Sequence, residues 1–387
     1  MAKKIRGRNE GSLSQRSNKN WQAQIYNDGK RISHTFTTKQ AAQVWLRQMQ
    51  GQLEQGLNYQ GTKTTLAEYL PQWLENSRIT LRENTAYHYA LVVRKHILPR
   101  IGKLQLKDLT LARVEQFYSQ LIQDGIGIRT VRITHNILHK ALEKAVRYRL
   151  ILYNPCHGAA LPRYKHGEMK VLDQSQVTTF LIAAQDSPYQ ALYHLAVVTG
   201  MRQGELFGLK WSDLQWTSGI LHVQRQAHDI AGKGASFSEP KTKSGRRTIA
   251  LGDNTLQVLR QHRNSEPGRI STAGNRWKDN DLIFPSTFGT PINPSNMRLD
   301  FNQVLVKAGL PKIRFHDLRH TAASLMLNHG VPAIVVSKIL GHSKPSITLD
   351  IYGHLYVEMK DEAAKLMDQL VSPIRVAIPS EKQNHSF

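Results

Sequence analysis

Cysteine is nearly missing from this chain: there is one, Cys156, in 387 residues. That excludes an internal disulfide framework and places the expected working environment in a reducing compartment. The lone thiol sits in "YNPCHG", which reads as a loop, so it is not taken as a nucleophile. Long apolar runs are missing too. None approaches the roughly 20 residues needed to span a bilayer. The opening "MAKKIRGRNEGS" lacks the apolar stretch of a secretory signal. The expected location is the cytosol, with access to DNA.

Negative charge is the third shortage. Asp and Glu number 29 against 52 Lys and Arg, a formal net charge of +23. Such an excess points to a polyanionic partner, nucleic acid above all. The plain alternative is a basic surface without a partner. The excess runs along the whole chain, with net +7 over residues 1–60, +10 over 61–165 and +6 over 166–387. A chain that wraps a duplex has this distribution, whereas an enzyme with one basic tail does not. With 40% hydrophobic and 21% charged residues, the composition is that of a folded protein.

The patterning divides the chain. Over 11–36 apolar and polar residues alternate around Asn27-Asp28-Gly29-Lys30, and Asp-Gly is a strong hairpin signal. A helix follows, capped by Thr37 or Thr38, with Ala41, Val44, Trp45 and Gln48 expected on one face. Residues 1–60 thus read as a small α+β unit, a β-hairpin or three-stranded sheet plus a helix, able to present polar strand residues to a DNA groove.

Residues 59–64 read as a linker. Residues 64–153 read as an all-α domain of four helices, with Gly125 as a C-cap. Arg94, Lys95, Arg129, Arg132, Lys140 and Arg147 are its phosphate-contact candidates, each with a solvated helix face as the alternative. The prolines and glycines of 154–169 mark the main linker. Residues 170–372 read as a mainly α-helical α+β domain with a small antiparallel sheet. "GILHVQRQ" and "GRRTIALG" read as strands, 239–251 as a basic hairpin, and 373–387 as a tail.

The stretch "RFHDLRHTAAS", 314–324, carries the densest chemistry. Its H-D-L-R-H looks close to the H-E-x-x-H of zinc proteases. A zinc site would need neutral histidines and an acid reaching a bound water. Here the acid is Asp317, one carbon shorter than Glu, and Arg319 would repel a dication. Arg and His together suit an anion, because guanidinium is a bidentate phosphate donor. At about 100° per residue, His316, Arg319, His320 and Ala323 fall opposite Leu318, Ala322, Leu325 and Met326. The polar set is therefore expected to face away from the local core.

Four other segments supply matching groups. They are T-G-M-R-x-x-E around Arg202, P-K-T-K-S with Lys241 and Lys243, L-G-H with His342, and D-I-Y-G-H with Tyr352. Together with H-D-L-R-H, this ordered set resembles the tyrosine recombinases of the phage-integrase type, and the likeness covers most of 170–360. The layout of 1–60 and 64–153 resembles that family's arm-type and core-binding DNA-binding domains, the latter SAM-like.

The resemblance implies roles. Arg202 and Arg319 match the pair that clamps the scissile phosphate. His316 matches a hydrogen-bond donor or proton shuttle, and His342 a donor to a phosphate oxygen. Lys241 matches the acid for the leaving 5′-hydroxyl, with Lys243 as its rival. Tyr352 matches the nucleophile that forms a 3′-phosphotyrosine, and Tyr356, one turn on, is the alternative tyrosine. His320 is expected to pack or to support its neighbours by a hydrogen bond. Glu205 is expected to orient basic groups.

No cofactor, metal or ATP is implied. The implied partners are core-type and arm-type attachment sites in double-stranded DNA, three further copies in a homotetramer, and in some systems an excision factor and a host DNA-bending protein. The expected function is the integration and excision of a phage or mobile element through a Holliday junction. The alternatives are a chromosome-dimer resolving recombinase, which the basic N-terminal extension disfavours, a catalytically silent DNA-binding regulator, and a type IB topoisomerase.

Overall fold

The computed structural model describes residues 11–27, 30–57, 63–164, 169–230, 234–240, 245–352 and 359–371. Two compact units make up the chain, Met1–His166 and Gly167–Phe387.

The first unit opens with an antiparallel sheet of β1 (Ser12–Gln15), β2 (Trp21–Asn27) and β3 (Lys30–Phe36), in that order. Ile25 pairs with Ile32 and Asn27 with Lys30. The strand alternation buries Ala23, Ile25 and Ile32 and leaves Tyr26, Arg31 and Ser33 exposed. Helix Lys39–Glu54 covers the buried face and is capped by Thr38, whose Oγ1 accepts the Ala41 N–H at 3.2 Å.

Ala41, Val44, Trp45 and Gln48 do share one face, beside Phe36, but it is not the buried one. Ala42, Met49 and Leu53 are buried, while Val44 is 43% exposed. The stripe that meets Ile25 and Ile32 runs through Leu46, Met49 and Leu53. Trp45 packs at the edge of this cluster and also leans on Phe36, ring centroids 5.9 Å apart.

Four helices follow, Leu66–Ser77, Glu83–Val92, Leu111–Gln123 and Ile128–Arg147. The first starts in a capping box. Glu68 accepts the Thr65 N–H at 2.8 Å, and Thr65 Oγ1 accepts the Glu68 N–H at 3.3 Å. The second continues through a π turn, Val93–Ile97, that carries exposed Arg94 and Lys95. Gly125 follows the third helix at φ +77°, the left-handed conformation that ends it. Leu70, Phe117, Leu121, Ile137 and Leu142 form the centre of the shared core.

The stretch expected to begin the linker at 154 starts as part of this core. Cys156 is buried in it, and Ala159 and Leu161 pack against it. Asn154 Nδ2 donates to Glu143 Oε1 at 2.8 Å, and His157 Nε2 lies 2.7 Å from the same oxygen. Burial pushes the Cys156 thiol up to about 11, so it is a packing group with little thiolate at neutral pH.

The second unit is mostly helical. Its aromatic centre is Phe180, Tyr193, Phe301 and Phe315, with neighbouring ring centroids 5.4–5.6 Å apart for Phe180–Phe301, Tyr193–Phe301 and Phe301–Phe315. β4 (Leu214–Gln215), β5 (Ile220–Val223) and β8 (Arg247–Ala250) form one antiparallel sheet, and β6 (Gln226–Ile230) pairs with β7 (Gly234–Ser238).

The two strand readings hold, since β5 and β8 pair with Leu221 opposite Ile249. The reading of 239–251 as its own hairpin does not hold for the described residues. β7 ends at Ser238 against β6, and β8 takes its partner from far upstream. Helices Asp317–Asn328, Ala333–Leu340 and Pro345–Tyr352 close around Ala323, Leu327, Val336, Leu340 and Tyr352. Helix Met359–Val371 follows. Among the described residues, no helix is long and apolar enough to cross a membrane.

Candidate active site

Arg202 stands where one helix stops and another starts. Helix Gln190–Thr199 ends on Gly200 at φ +60°, and Gln203–Phe207 begins three residues later. A Cβ on Gly200 would come within 2.5 Å of Leu340 Cδ2, so the position needs glycine for room as well as for conformation. Glu205 is 2% exposed and reaches back to Arg202, accepting its backbone N–H at 3.0 Å and its Nη1 at 2.9 Å. Arg202 Nη2 also donates to the Gly341 carbonyl at 3.3 Å.

A third arginine, Arg247 on β8, donates Nη2 to Glu205 Oε2 at 2.9 Å and Nε to the Ile339 carbonyl at 2.5 Å. Its neighbour Arg246 precedes β8, is exposed and pairs with Glu239. Of the two adjacent arginines, only the one on the strand reaches Glu205. The sequence reading missed Arg247. The signal was the alternation of "RRTIAL", which needs the register of β8 on β5 before it names a side.

Arg319 is 4% exposed and donates Nη1 to the Gly200 carbonyl at 2.8 Å. Its Nη2 is buried and, among the described residues, has no hydrogen-bond partner. Burial, followed by the charge of Arg202, pushes this guanidinium below its ordinary value. The expectation that the Arg319 face points away from packing is corrected here. Arg319 and Ala323 are both buried, because helices Ala333–Leu340 and Pro345–Tyr352 pack on that side.

Glu205 pairs with two of these arginines, Arg202 and Arg247. Burial works to raise its carboxyl, but Arg247 and then Arg202 outweigh burial and hold it below the usual carboxylate value. It orients the arginines, as expected of it.

The histidines divide into two sets. His342 follows Gly341, a left-handed C-cap at φ +71°, and its Nδ1 lies 2.8 Å from Thr348 Oγ1. Burial and then Arg319 and Arg202 push it down to about 4, so its ring is neutral at pH 7. His316 is exposed at the start of its helix. Surrounding protein, then His320 and Arg319, shift it downward, and water screens part of that effect. The His316 and His320 rings meet edge-on at 5.3 Å.

His320 Nδ1 lies 2.6 Å from the hydroxyl oxygen of Tyr352, which is 1% exposed. Of the two expectations for His320, packing or a supporting hydrogen bond, the hydrogen bond is found, and its partner sits 32 residues along the chain. Burial pushes Tyr352 up to about 12, against the opposing pull of Arg319.

Five of the six expected site residues, Arg202, His316, Arg319, His342 and Tyr352, thus lie in one neighbourhood of one chain. Lys241, its rival Lys243 and Tyr356 lie outside the described residues.

Two places invite a metal reading. In H-D-L-R-H, the Asp317 carboxylate is engaged by Arg314, accepting its backbone N–H and its Nη2 at 2.7 Å each. In the first unit, His139, Glu143 and His157 bring one ligand atom each within 4.8 Å of one another. There Glu143 already accepts from Asn154, and this set pins the 154–157 loop to its helix.

Comparison with known proteins agrees with this geometry. Residues 170–359 match the Phage integrase family, and residues 65–122 match the Phage integrase N-terminal SAM-like domain. A tyrosine recombinase XerC-like protein of Caldanaerobacter subterraneus subsp. tengcongensis is 30% identical over 365 residues, covering 89% of this chain and 93% of its own. The ICEBs1 integrase of Bacillus subtilis is 24% identical over 301 residues, covering 77% of this chain and 81% of its own. The solved structure of the Tn1549 transposon integrase with transposon right end DNA shares the fold at a TM-score of 0.66 and 21% identity, covering 79% of this chain and 99% of that one. This chain belongs to the phage integrase family of tyrosine recombinases.

Proposed function

We propose that this recombinase cuts and rejoins DNA with Tyr352, at attachment sites that integrate and excise a mobile element. One observation carries the reading. Two guanidiniums, Arg202 and Arg247, share the buried carboxylate of Glu205, and a buried donor of a third, Arg319, has no partner among the described residues. Buried polar groups are normally satisfied. Surplus positive charge and an idle forked donor fit an anion with several oxygens, and a phosphodiester provides that.

The steps follow from the positions. Arg202 and Arg319 hold the non-bridging oxygens, where charge builds in the pentacoordinate transition state. Neutral His316 and His342 add N–H donors. Tyr352 attacks phosphorus, the bond to the 5′-oxygen breaks, and Lys241 gives that oxygen its proton. Lys243 is the rival acid. The 3′-phosphotyrosine conserves the phosphodiester, so a second 5′-hydroxyl can rejoin it without ATP. Two such exchanges in a homotetramer pass through a Holliday junction.

The surfaces fit a duplex. On helix Ile128–Arg147, exposed Arg129, Arg132, Lys140 and Arg147 fall within an arc of about 80° at helical spacing. Arg132 and Lys140 also bond within the unit, to the Pro162 carbonyl at 3.0 Å and the Tyr89 hydroxyl at 2.9 Å. The outer face of β2 and β3 carries Tyr26, Arg31 and Ser33, a polar ribbon suited to an arm-type site. An excision factor and a host bending protein are the expected accessory partners.

The test is inversion on a plasmid that carries the two ends of the encoding element in opposed orientation, with host extract present. The chain should invert the segment, and Arg202→Ala and Arg319→Ala should not. Relaxation of a plasmid without these sites would point to a topoisomerase instead.

A further inference from the structure

We infer that His320 is the base that takes the Tyr352 proton during strand cleavage and the acid that returns it on rejoining. The inference rests on Tyr352 as nucleophile and adds a catalytic residue, because His320 touches the reacting oxygen. The H-D-L-R-H segment offers two histidines for this task, and the structure separates them.

His320 Nδ1 is 2.6 Å from the Tyr352 oxygen, well within the reach of direct proton transfer. His316 meets only the edge of the His320 ring, and Nδ1 of His342 is held by Thr348. His316 and His342 are left for the phosphate side, and His320 stands alone on the nucleophile side among the described residues.

The need for a base is physical. A buried phenol whose ionisation lies near 12 is almost wholly protonated at pH 7. His320 is ready to accept, since burial keeps it below its ordinary value and therefore neutral. The charged groups around it are known. On its own helix and the preceding turn, Asp317 favours the protonated ring, while Arg319 and Arg314 oppose it. His316 and, across the site, His342 and Tyr352 are its uncharged neighbours.

The step balances. The Tyr352 O–H bond breaks, the proton moves to Nδ1, the oxygen–phosphorus bond forms, and the leaving 5′-oxygen is protonated by a separate acid. On rejoining, the incoming 5′-hydroxyl loses its proton to that acid, and the departing tyrosinate takes back the proton on Nδ1.

The test measures single-turnover adduct formation on a nicked attachment-site duplex, from pH 6 to 10, for the wild type, His320→Ala and His320→Gln. Gel-shift binding of the same duplex reports folding. A second substrate carries sulfur at the bridging 5′ position, whose thiolate leaves without an acid. Proton acceptance predicts a loss of about a hundred- to ten-thousand-fold at pH 7 in both variants, with DNA binding kept. The loss should shrink as pH rises towards tyrosine ionisation, persist on the sulfur substrate, and be partly repaired in His320→Ala by added imidazole.

Wild-type rates in either variant overturn the inference. So does a loss that ignores pH and imidazole, which would make His320 a prop for Tyr352, or a loss that vanishes on the sulfur substrate, which would make it the leaving-group acid. A wild-type chain that binds the duplex and never forms an adduct overturns the recombinase reading itself, and this step with it.

Discussion

Glu205 and Arg247 meet at 2.9 Å with side chains 3% and 7% exposed. Glu205 comes from the short helix after Arg202, and Arg247 from a strand 42 residues on. The pair ties the sheet to the turn that carries Arg202. Glu205 also holds Arg202, so one carboxylate sets the aim of two guanidiniums, while Arg319 keeps an unpartnered donor among the described residues.

Removing that carboxylate should therefore strand buried positive charge. Glu205→Ala is expected to cost about 3–5 kcal/mol of stability, read from urea midpoints. Glu205→Gln keeps the shape and one acceptor and should cost less. Equal stability of all three forms would contradict the burial described here.

Arg319→Lys tests the fork against the charge. Lysine keeps the positive charge and loses the planar pair of donors. One of those donors is anchored on the Gly200 carbonyl and the other is idle. Adduct formation should fall about 10²- to 10³-fold, as when one transition-state donor is lost. DNA binding by gel shift should change little.

Gly200→Ala should damage both fold and chemistry. The left-handed conformation alone costs a non-glycine residue about 1–2 kcal/mol. The added methyl also meets Leu340. Because the Gly200 carbonyl holds Arg319, the variant should lower the urea midpoint and slow the adduct at temperatures where it is still folded.

Acid should destabilise the second unit before its carboxylates titrate. His262, whose Nε2 lies 2.8 Å from the Ile283 carbonyl, is pushed down to about 4 by burial, and His342 likewise. Both folded values lie below the ordinary 6.5. The unfolded chain therefore takes up protons first, so stability is full above about 6.5 and falls as pH drops towards 4. Thermal midpoints from pH 7.5 to 4.5 should show this fall, and His262→Gln should flatten it.

Much of the site could be read from sequence because its residues sit in short ordered motifs. Arg202, Glu205, His316, Arg319, His342 and Tyr352 each belong to one. Arg247 was out of reach, since choosing it over Arg246 requires the register of β8 on β5. For His320 a hydrogen bond was expected but its partner was not named, because Tyr352 arrives on another helix and a helical wheel places neighbours only along one helix. The same non-local pairing explains the strand error at 239–251, where β8 pairs with β5 rather than with β7. For helix Lys39–Glu54 the wheel grouped Ala41, Val44, Trp45 and Gln48 on one face but did not tell which face is buried. Trp45 is the largest apolar residue there, yet it lies beside Phe36 at the border of the core. The order of elements, strands and a helix, then four helices, then a mainly helical region with a small sheet, was legible from periodicity and turn residues.

The central claim is that Tyr352 attacks the scissile phosphate. The most direct measurement traps the covalent complex on a nicked attachment-site duplex, digests it, and maps the nucleotide-bearing peptide by mass spectrometry. The account predicts the nucleotide on Tyr352 and no trapped complex from Tyr352→Phe. A nucleotide on Tyr356, or a complex that survives Tyr352→Phe, would contradict it.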